Sequence, residues 1–301
     1  MSKLLSMIRN KEFKGLCLTS LGSSYNITLT KSGSPIFNLK YSYDGKNWYE
    51  FANSSTNTIN TITLSSYKKV YFKGTYSNQS STSYLKFNIT SSDNTNLGIN
   101  ISGDLISILD EDNFSNIYDL SSYPFAFYNL FIAGAVASST IFSCNKLILK
   151  ATTLSESCYH FLFKQQQIDD VGRIVLPAMV MAKNCYYGMF EQNYKTKTAT
   201  KLPALTLAEG CYRAMYSSNT NIEILPELLA TTLVTDCYRY IYNSCAKAKY
   251  LKIAYTGNFS ATYFNTWVGN NFSGSGNFYY NGTDTTRGAN AIPTGWTVHT
   301  F

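Results

Sequence analysis

CYRYIY (237–242) closes a series that starts at CYHFLF (158–163) and runs through CYYGMF (185–190) and CYRAMY (211–216). The four Cys-Tyr pairs are 27, 26 and 26 residues apart, and a fixed period in the twenties marks a chain built from stacked repeats. Aligned on the cysteines, the copies place Leu154, Met181, Leu207 and Leu233 four residues earlier, and Leu162, Met189, Met215 and Ile241 four residues later. Four residues advance about 400° around a helix, so apolar groups at i, i+4 and i+8 share one stripe. The spacing therefore predicts a short helix in every copy, with Thr153, Thr206 and Thr232 as N-caps and Val180 in the threonine's place in the second copy.

Upstream of each predicted helix lies a short apolar stretch long enough for one strand: Leu147 to Leu149, Ile174 to Leu176, Ile222 to Leu225 and Leu251 to Ile253. Pro177 and Pro203 separate strand from helix in two copies. Such a unit cannot bury its apolar side alone, and stacked neighbours must bury it for one another. Cys158, Cys185, Cys211 and Cys237 then form a structural core column of small, weakly polar residues. Side-by-side helices sit about 8–10 Å apart, beyond the roughly 7 Å Cα separation a disulfide tolerates, so the thiols are expected to be free.

The phrases LPALTLAEGCYRAMY (202–216) and LPELLATTLVTDCYRYIYNSC (225–245) resemble the BspA-like leucine-rich repeats, whose unit runs roughly LPATxLxxxCYxxMFxGC. The likeness spans about residues 125 to 255; Lys150 and Leu229 stand where the family prefers proline, and Cys245 keeps the second cysteine. Ahead of it, YNITLT (25–30), FNLKYSY (37–43), INTITL (59–64), KVYFKG (69–74), YLKFNIT (84–90) and LGINI (97–101) alternate apolar and polar residues between Gly, Ser and Asn turns. DGKN (44–47) adds a hairpin signal between Tyr43 and Trp48. YSYDGKNWYEF, KKVYFKG and ISGDLISILDEDNF (101–114) also resemble the β-domain that accompanies these repeats in proteins of phages and gut Bacteroidetes. The segment 259–298, ending in IPTGWTV, looks like the terminal cap of the same family, with Trp267, Phe278 and Trp296 as cap core. The expected fold is α/β: an N-terminal antiparallel β-sandwich followed by a leucine-rich-repeat solenoid with a C-terminal cap. Its parts are an anchoring segment (1–15), the sandwich (16–104), the solenoid (105–255) and the cap (256–301).

Composition narrows function. Of the 301 residues 45% are apolar and 14% charged, and 25 tyrosines supply much of the polarity, a mixture suited to exposed β-rich or repeat surfaces. The net charge of +7 is spread over small clusters at Lys68, Lys69 and Lys73, at Lys195, Lys197 and Lys201, and at Lys247, Lys249 and Lys252. None lies in a nucleic-acid-binding motif, so no nucleic-acid partner is expected; attraction to acidic glycans or a host surface fits the same charge. The longest apolar runs fall short of the ~18 residues of a membrane helix, so no membrane insertion is expected.

Nucleophilic or acid–base catalysis calls for a histidine, a perturbed carboxylate pair or a metal site. His160 and His299 are the only histidines, zinc spacings are missing, and Asp110, Glu111 and Asp112 lack the alternating ligands and glycine of a calcium loop. No enzyme activity, catalytic residue, metal or cofactor is expected. What remains is surface: His160, Tyr187, Arg213 and Arg239 stand two residues after each cysteine, opposite the predicted stripe, as a candidate binding face that an ordinary wet surface would also produce.

The resemblance implies host-surface attachment, either by a bacteriophage virion component such as a head or tail fibre or by a bacterial cell-surface adhesin. MSKLLSMIRNKEFKG (1–15) has only five apolar-core residues, Leu4 to Ile8, where a signal peptide has about seven to fifteen. That favours the virion reading: a protein made in the host cytoplasm and displayed on the virion surface, with Leu4, Leu5, Met7 and Ile8 as candidate anchor. Its expected partners are other virion proteins, itself as a homo-oligomer, and a host glycan or protein.

Overall fold

The computed structural model of the chain describes residues 13–51, 57–77, 79–92, 97–134, 140–169, 171–269, 272 and 274–301. The candidate anchor Leu4, Leu5, Met7 and Ile8 lies outside the described residues.

Alternating apolar residues make the strands of the first third. These are β1 (Cys17–Ser20), β2 (Tyr25–Ser32), β3 (Ile36–Ser42), β4 (Tyr49–Glu50), β5 (Thr58–Leu64), β6 (Lys69–Ser77), β7 (Tyr84–Ser91) and β8 (Ile99–Asp104). In β2, Tyr25, Ile27 and Leu29 turn inward while the residues between them are half-buried, as a strand of period two requires. β5-β2-β7 form one antiparallel sheet. The other has the order β4-β3-β6-β1-β8-β9, with β9 (Ile141–Ile148). The two sheets share a core in which Phe72 of β6 meets Phe87 of β7 edge-on at 5.0 Å. The larger sheet is mixed, not purely antiparallel, because β9 pairs parallel with β8, carrying the sheet past residue 104 into the first repeat.

The expected α/β leucine-rich-repeat solenoid is overturned. Among the described residues the chain is mostly β-sheet, in three sheets, and its only α-helix is α1 (Ala261–Phe264). Each Cys-Tyr copy is a ribbon of tight turns rather than a helix. In the second copy Asn184, Tyr186, Gly188, Phe190 and Gln192 donate their amides to the carbonyls of Glu209, Cys211, Arg213, Met215 and Ser217 in the third, at 2.9–3.1 Å. The alternate amides, of Cys185, Tyr187, Met189 and Glu191, donate three residues back within their own copy at 3.0–3.3 Å. An α-helix would send every amide four residues back. Thr153, Thr206 and Thr232 therefore cap no helix. The predicted strands at Ile174 to Leu176 and Ile222 to Leu225 reduce to the isolated bridge Thr198↔Ile224, and Leu251 to Ile253 overlap β10 (Tyr250–Lys252).

The ribbon needs a left-handed residue every fourth position: Ser157, Phe161 and Gln165 in the first copy, Asn184, Gly188 and Gln192 in the second. The same holds for Gly210, Ala214 and Ser218, and for Asp236, Tyr240 and Ser244. Left-handed backbone costs an L-residue about 1–2 kcal/mol. The residue before each cysteine, Ser157, Asn184, Gly210 or Asp236, is a small or polar type that suits the turn. At Gly188 a Cβ would run into the Phe161 ring of the preceding copy.

With two residues in and two out, the ribbon buries adjacent pairs: Cys158 and Tyr159, then Leu162 and Phe163, and their counterparts. Backbones joined by such bonds lie about 4.8 Å apart, close enough for rings to stack. One column runs Phe127, Tyr159, Tyr186, Tyr212, Tyr238, Phe264, with centroids 5.4–6.4 Å apart and planes within 28°. A second runs from Phe87 of β7 through Phe131, Phe163, Phe190, Tyr216 and Tyr242 to Trp267, at 5.4–6.3 Å. Stacked pairs contribute about 0.5–1.5 kcal/mol each beyond their burial.

Lys150 closes the junction between sheets and copies. Its ammonium lies 2.5 Å from Asp104 Oδ2 and donates to the Phe114 carbonyl at 2.6 Å. Burial raises the Asp104 carboxyl despite the pull of Lys150 and of the Ile106 amide. At the far end β10, β11 (Asn277–Tyr279) and β12 (Thr297–His299) form a parallel sheet over buried Trp267, Phe278 and Trp296.

The buried Tyr159 hydroxyl has no hydrogen-bond partner among the described residues, whereas Tyr216 donates to the Thr200 carbonyl at 3.2 Å. In urea titrations Tyr159→Phe is expected to leave stability unchanged or raise it, because the orphaned group is removed. Tyr216→Phe should cost about 1 kcal/mol. Equal losses from both would contradict this placement.

Candidate binding face

The copy-to-copy ladder gathers the four residues standing two after each cysteine, 27, 26 and 26 positions apart in sequence, into one column. The His160 ring lies 4.3 Å from Tyr187, and the Arg213 guanidinium sits over Tyr187 at 4.9 Å. Arg213 and Arg239 each place Nη1 3.3 Å from the same Asp236 Oδ2, and Arg239 also lies over Tyr240 at 5.0 Å. Beside the column, exposed Lys183 pairs with Glu209 at 2.9 Å.

The column is less open than a helical wheel predicts. His160 is buried, 9% exposed, under Tyr128 at 4.8 Å and against Phe161 at 4.2 Å. The reason is the ribbon: residues 125–133 repeat its bonding one step ahead of the first copy, Asn129 donating to the His160 carbonyl, and so carry Tyr128 over the His160 ring. Tyr187, Arg213 and Arg239 are half-buried. Tyr128, at the position of His160 one ribbon earlier, and Tyr240, next to Arg239, complete the column; Asp236 is legible only as the acid beside two arginines one copy apart.

Burial, then the positive charges of Lys164 and Arg213, push the His160 imidazole down to about 3, so the ring is neutral near pH 7. The thiols behave in the same sense. Burial raises Cys158 to about 12 and Cys237 to about 11, and lifts Cys185 and Cys211 well above the ordinary thiol range. All seven cysteines are buried, and the raised values leave Cys158, Cys185, Cys211 and Cys237 no thiolate nucleophile at neutral pH. The free state does not follow from helix spacing, since neighbouring copies are much closer than helices; Cys158 Sγ reaches to 4.0 Å from the Cys185 carbonyl.

The acidic run has structural partners. Asp110 accepts from the Asp112 and Asn113 amides at 3.2 and 3.0 Å, and Glu111 bridges Lys40 at 2.6 Å and Lys73 at 3.0 Å. Among the described residues no three His, Cys, Asp or Glu side chains group as metal ligands. Nor is any described helix long and apolar enough to cross a membrane. Comparison with known protein families, curated proteins and solved structures finds no match to this chain.

The depressed histidine has a pH consequence. An unfolded chain takes up a proton at its ordinary value of about 6.5, while the folded ring resists down to about 3. Between those values the unfolded state binds more protons, so this contribution to stability is full above the higher value and is lost as pH falls through the window. His160→Phe is expected to flatten the fall in melting temperature between pH 6.5 and 4; an unchanged pH profile would contradict the buried neutral ring.

Proposed function

We propose that this chain is a structural and adhesive component of a bacteriophage virion, a head or tail fibre, docked by its N-terminal part and presenting its stacked copies outward to a host surface. The observation that carries the reading is the unbroken ring column from Phe87 in the two-sheet core to Trp267 beneath the C-terminal sheet. It makes one continuous packed body of the sheets and the copies, as a protein that holds a binding surface away from its point of attachment requires. The outer side of that body varies from copy to copy, with half-buried Tyr187, Arg213 and Arg239 at one position, over an interior that scarcely changes. A fixed frame with a variable face suits recognition better than chemistry. The virion half of the reading draws on the likeness of the repeat phrases and of YSYDGKNWYEF to segments of phage proteins, and homo-oligomer assembly fits a fibre.

Antibody raised against residues 202–245 is expected to detect the chain in purified phage particles and to decorate them in electron micrographs. Removal of residues 1–12, which spares Phe13 against Trp48, Tyr71 and Phe114, should leave the thermal transition in place and abolish incorporation. Labelling of the bacterial envelope without particles would favour the cell-surface adhesin and overturn the virion assignment.

A further inference from the structure

Two of the three lysine clusters, 195–201 and 247–252, come together on one edge of the stack although they lie apart in sequence. The Lys197 carbonyl accepts the amides of Glu223 and Ile224 at 2.8 and 3.1 Å, which fixes these two copies side by side. Glu223 in turn shares a surface depression with Lys247 and Lys249 of the following copy. In the other direction Gly172 packs on Thr198, and Lys146 and Arg173 flank one groove of ≈ 510 Å³. Lys201 and Glu227 line a second groove, of ≈ 530 Å³, and Lys252 pairs with Glu227 at 3.2 Å. Lys195 lies over the exposed Phe142 ring at 5.7 Å.

Among the described residues this edge therefore carries eight basic residues against Asp169, Glu223 and Glu227, more basic than acidic groups. The opposite side is close to balanced, since Arg213 and Arg239 share Asp236, Lys183 meets Glu209 and Lys164 meets Glu191. Between the cations the edge exposes Ile148 (43%), Val175 (71%) and Ile224 (61%), beside the two grooves. Cations and apolar side chains thus recur along the stack.

We propose that this edge binds an acidic polysaccharide lying across the copies, its carboxylates on the lysines and the C–H faces of its sugars on Ile148, Val175 and Ile224. The inference rests on the host-surface reading above and supplies the ligand class for it. Spacing supports a glycan: hydrogen-bonded backbones repeat at about 4.8 Å, close to the length of one pyranose unit in an extended chain, so successive copies meet successive sugars. Side-chain chemistry points the same way. Seven of the eight cations are lysines, mobile point charges that tolerate varied carboxylate geometry, where phosphate and base recognition favours the planar arginine fork.

The test measures binding of the purified full-length chain to polygalacturonate, to neutral dextran and to duplex DNA. The expected result is binding to polygalacturonate that weakens with added salt, little binding to dextran, and weaker binding to DNA. The triple variant K197Q/K201Q/K247Q should lose about tenfold or more in affinity, because three ion pairs go. K197R/K201R/K247R should retain binding, and K31Q/K68Q/K69Q, with the same change in net charge on the two-sheet part, should bind as the parent does. Equal losses from both glutamine triples, comparable binding to dextran, or tighter binding to DNA would each overturn the proposal. Incorporation into particles by a chain that ignores polygalacturonate would leave the virion reading standing and remove this one. Binding by a chain absent from particles would do the reverse.

Discussion

In each copy half of the backbone amides leave their own ribbon to bond the next. This division fixes everything downstream. Amides turned outward every second residue demand a backbone that reverses its turn, and the reversal is taken by a left-handed residue every fourth position. Copies bonded this way stand at sheet spacing, not helix spacing. At that separation aromatic rings at one position have no room to do anything but stack. The columns from Phe127 to Phe264 and from Phe87 to Trp267 follow from that geometry. The strain of left-handed Phe161 and Tyr240 is tolerated because neighbours on both sides hold them.

The same constraint explains how the ends are closed. A hydrogen-bonding copy leaves unpaired amides on one side and unpaired carbonyls on the other, a cost for any buried edge. On the N-terminal side Phe125, Phe127, Asn129 and Phe131 donate to Glu156, Cys158, His160 and Leu162, with Phe125 and Asn129 left-handed, so a further ribbon without the Cys-Tyr phrase takes the place of a preceding copy. On the C-terminal side the carbonyls of Thr262, Asn265 and Trp267 accept from Asp236, Tyr240 and Tyr242. The Lys150–Asp104 pair then ties the stack to β8.

The strands up to residue 104 were legible because period-two alternation has no competitor over six or seven residues. The repeat length was legible, and so was the inward side of the Cys, Cys+4 and Cys−4 positions. The conformation joining them was not. A helix at 3.6 residues per turn and a turn ribbon with a period of four both place i, i+4 and i+8 on one side, so the apolar spacing cannot tell them apart. The discriminating signal lay one residue before each cysteine, where Ser157, Asn184, Gly210 and Asp236 are turn formers and poor helix residues. The adjacent Tyr at Cys+1, buried in every copy, pointed the same way. For the binding face, the column could be read from the alignment, but the burial of His160 could not, because its cover, Tyr128, comes from a ribbon that lacks the Cys-Tyr phrase. The convergence of the lysines was hidden for a different reason. They fall at different offsets in successive copies, and only the pairing of Lys197 with Glu223 and Ile224 brings them into line.

The copy-to-copy hydrogen bond is itself observable by NMR on deuterated protein, as a scalar coupling transmitted from an amide nitrogen to the carbonyl carbon that accepts it. Couplings from the Tyr186 nitrogen to the Cys211 carbonyl and from the Tyr212 nitrogen to the Cys237 carbonyl are predicted, across bonds of 3.0 and 3.2 Å. Couplings from Tyr186 to Ala182 and from Tyr212 to Ala208, the helical partners four residues back, would contradict the account.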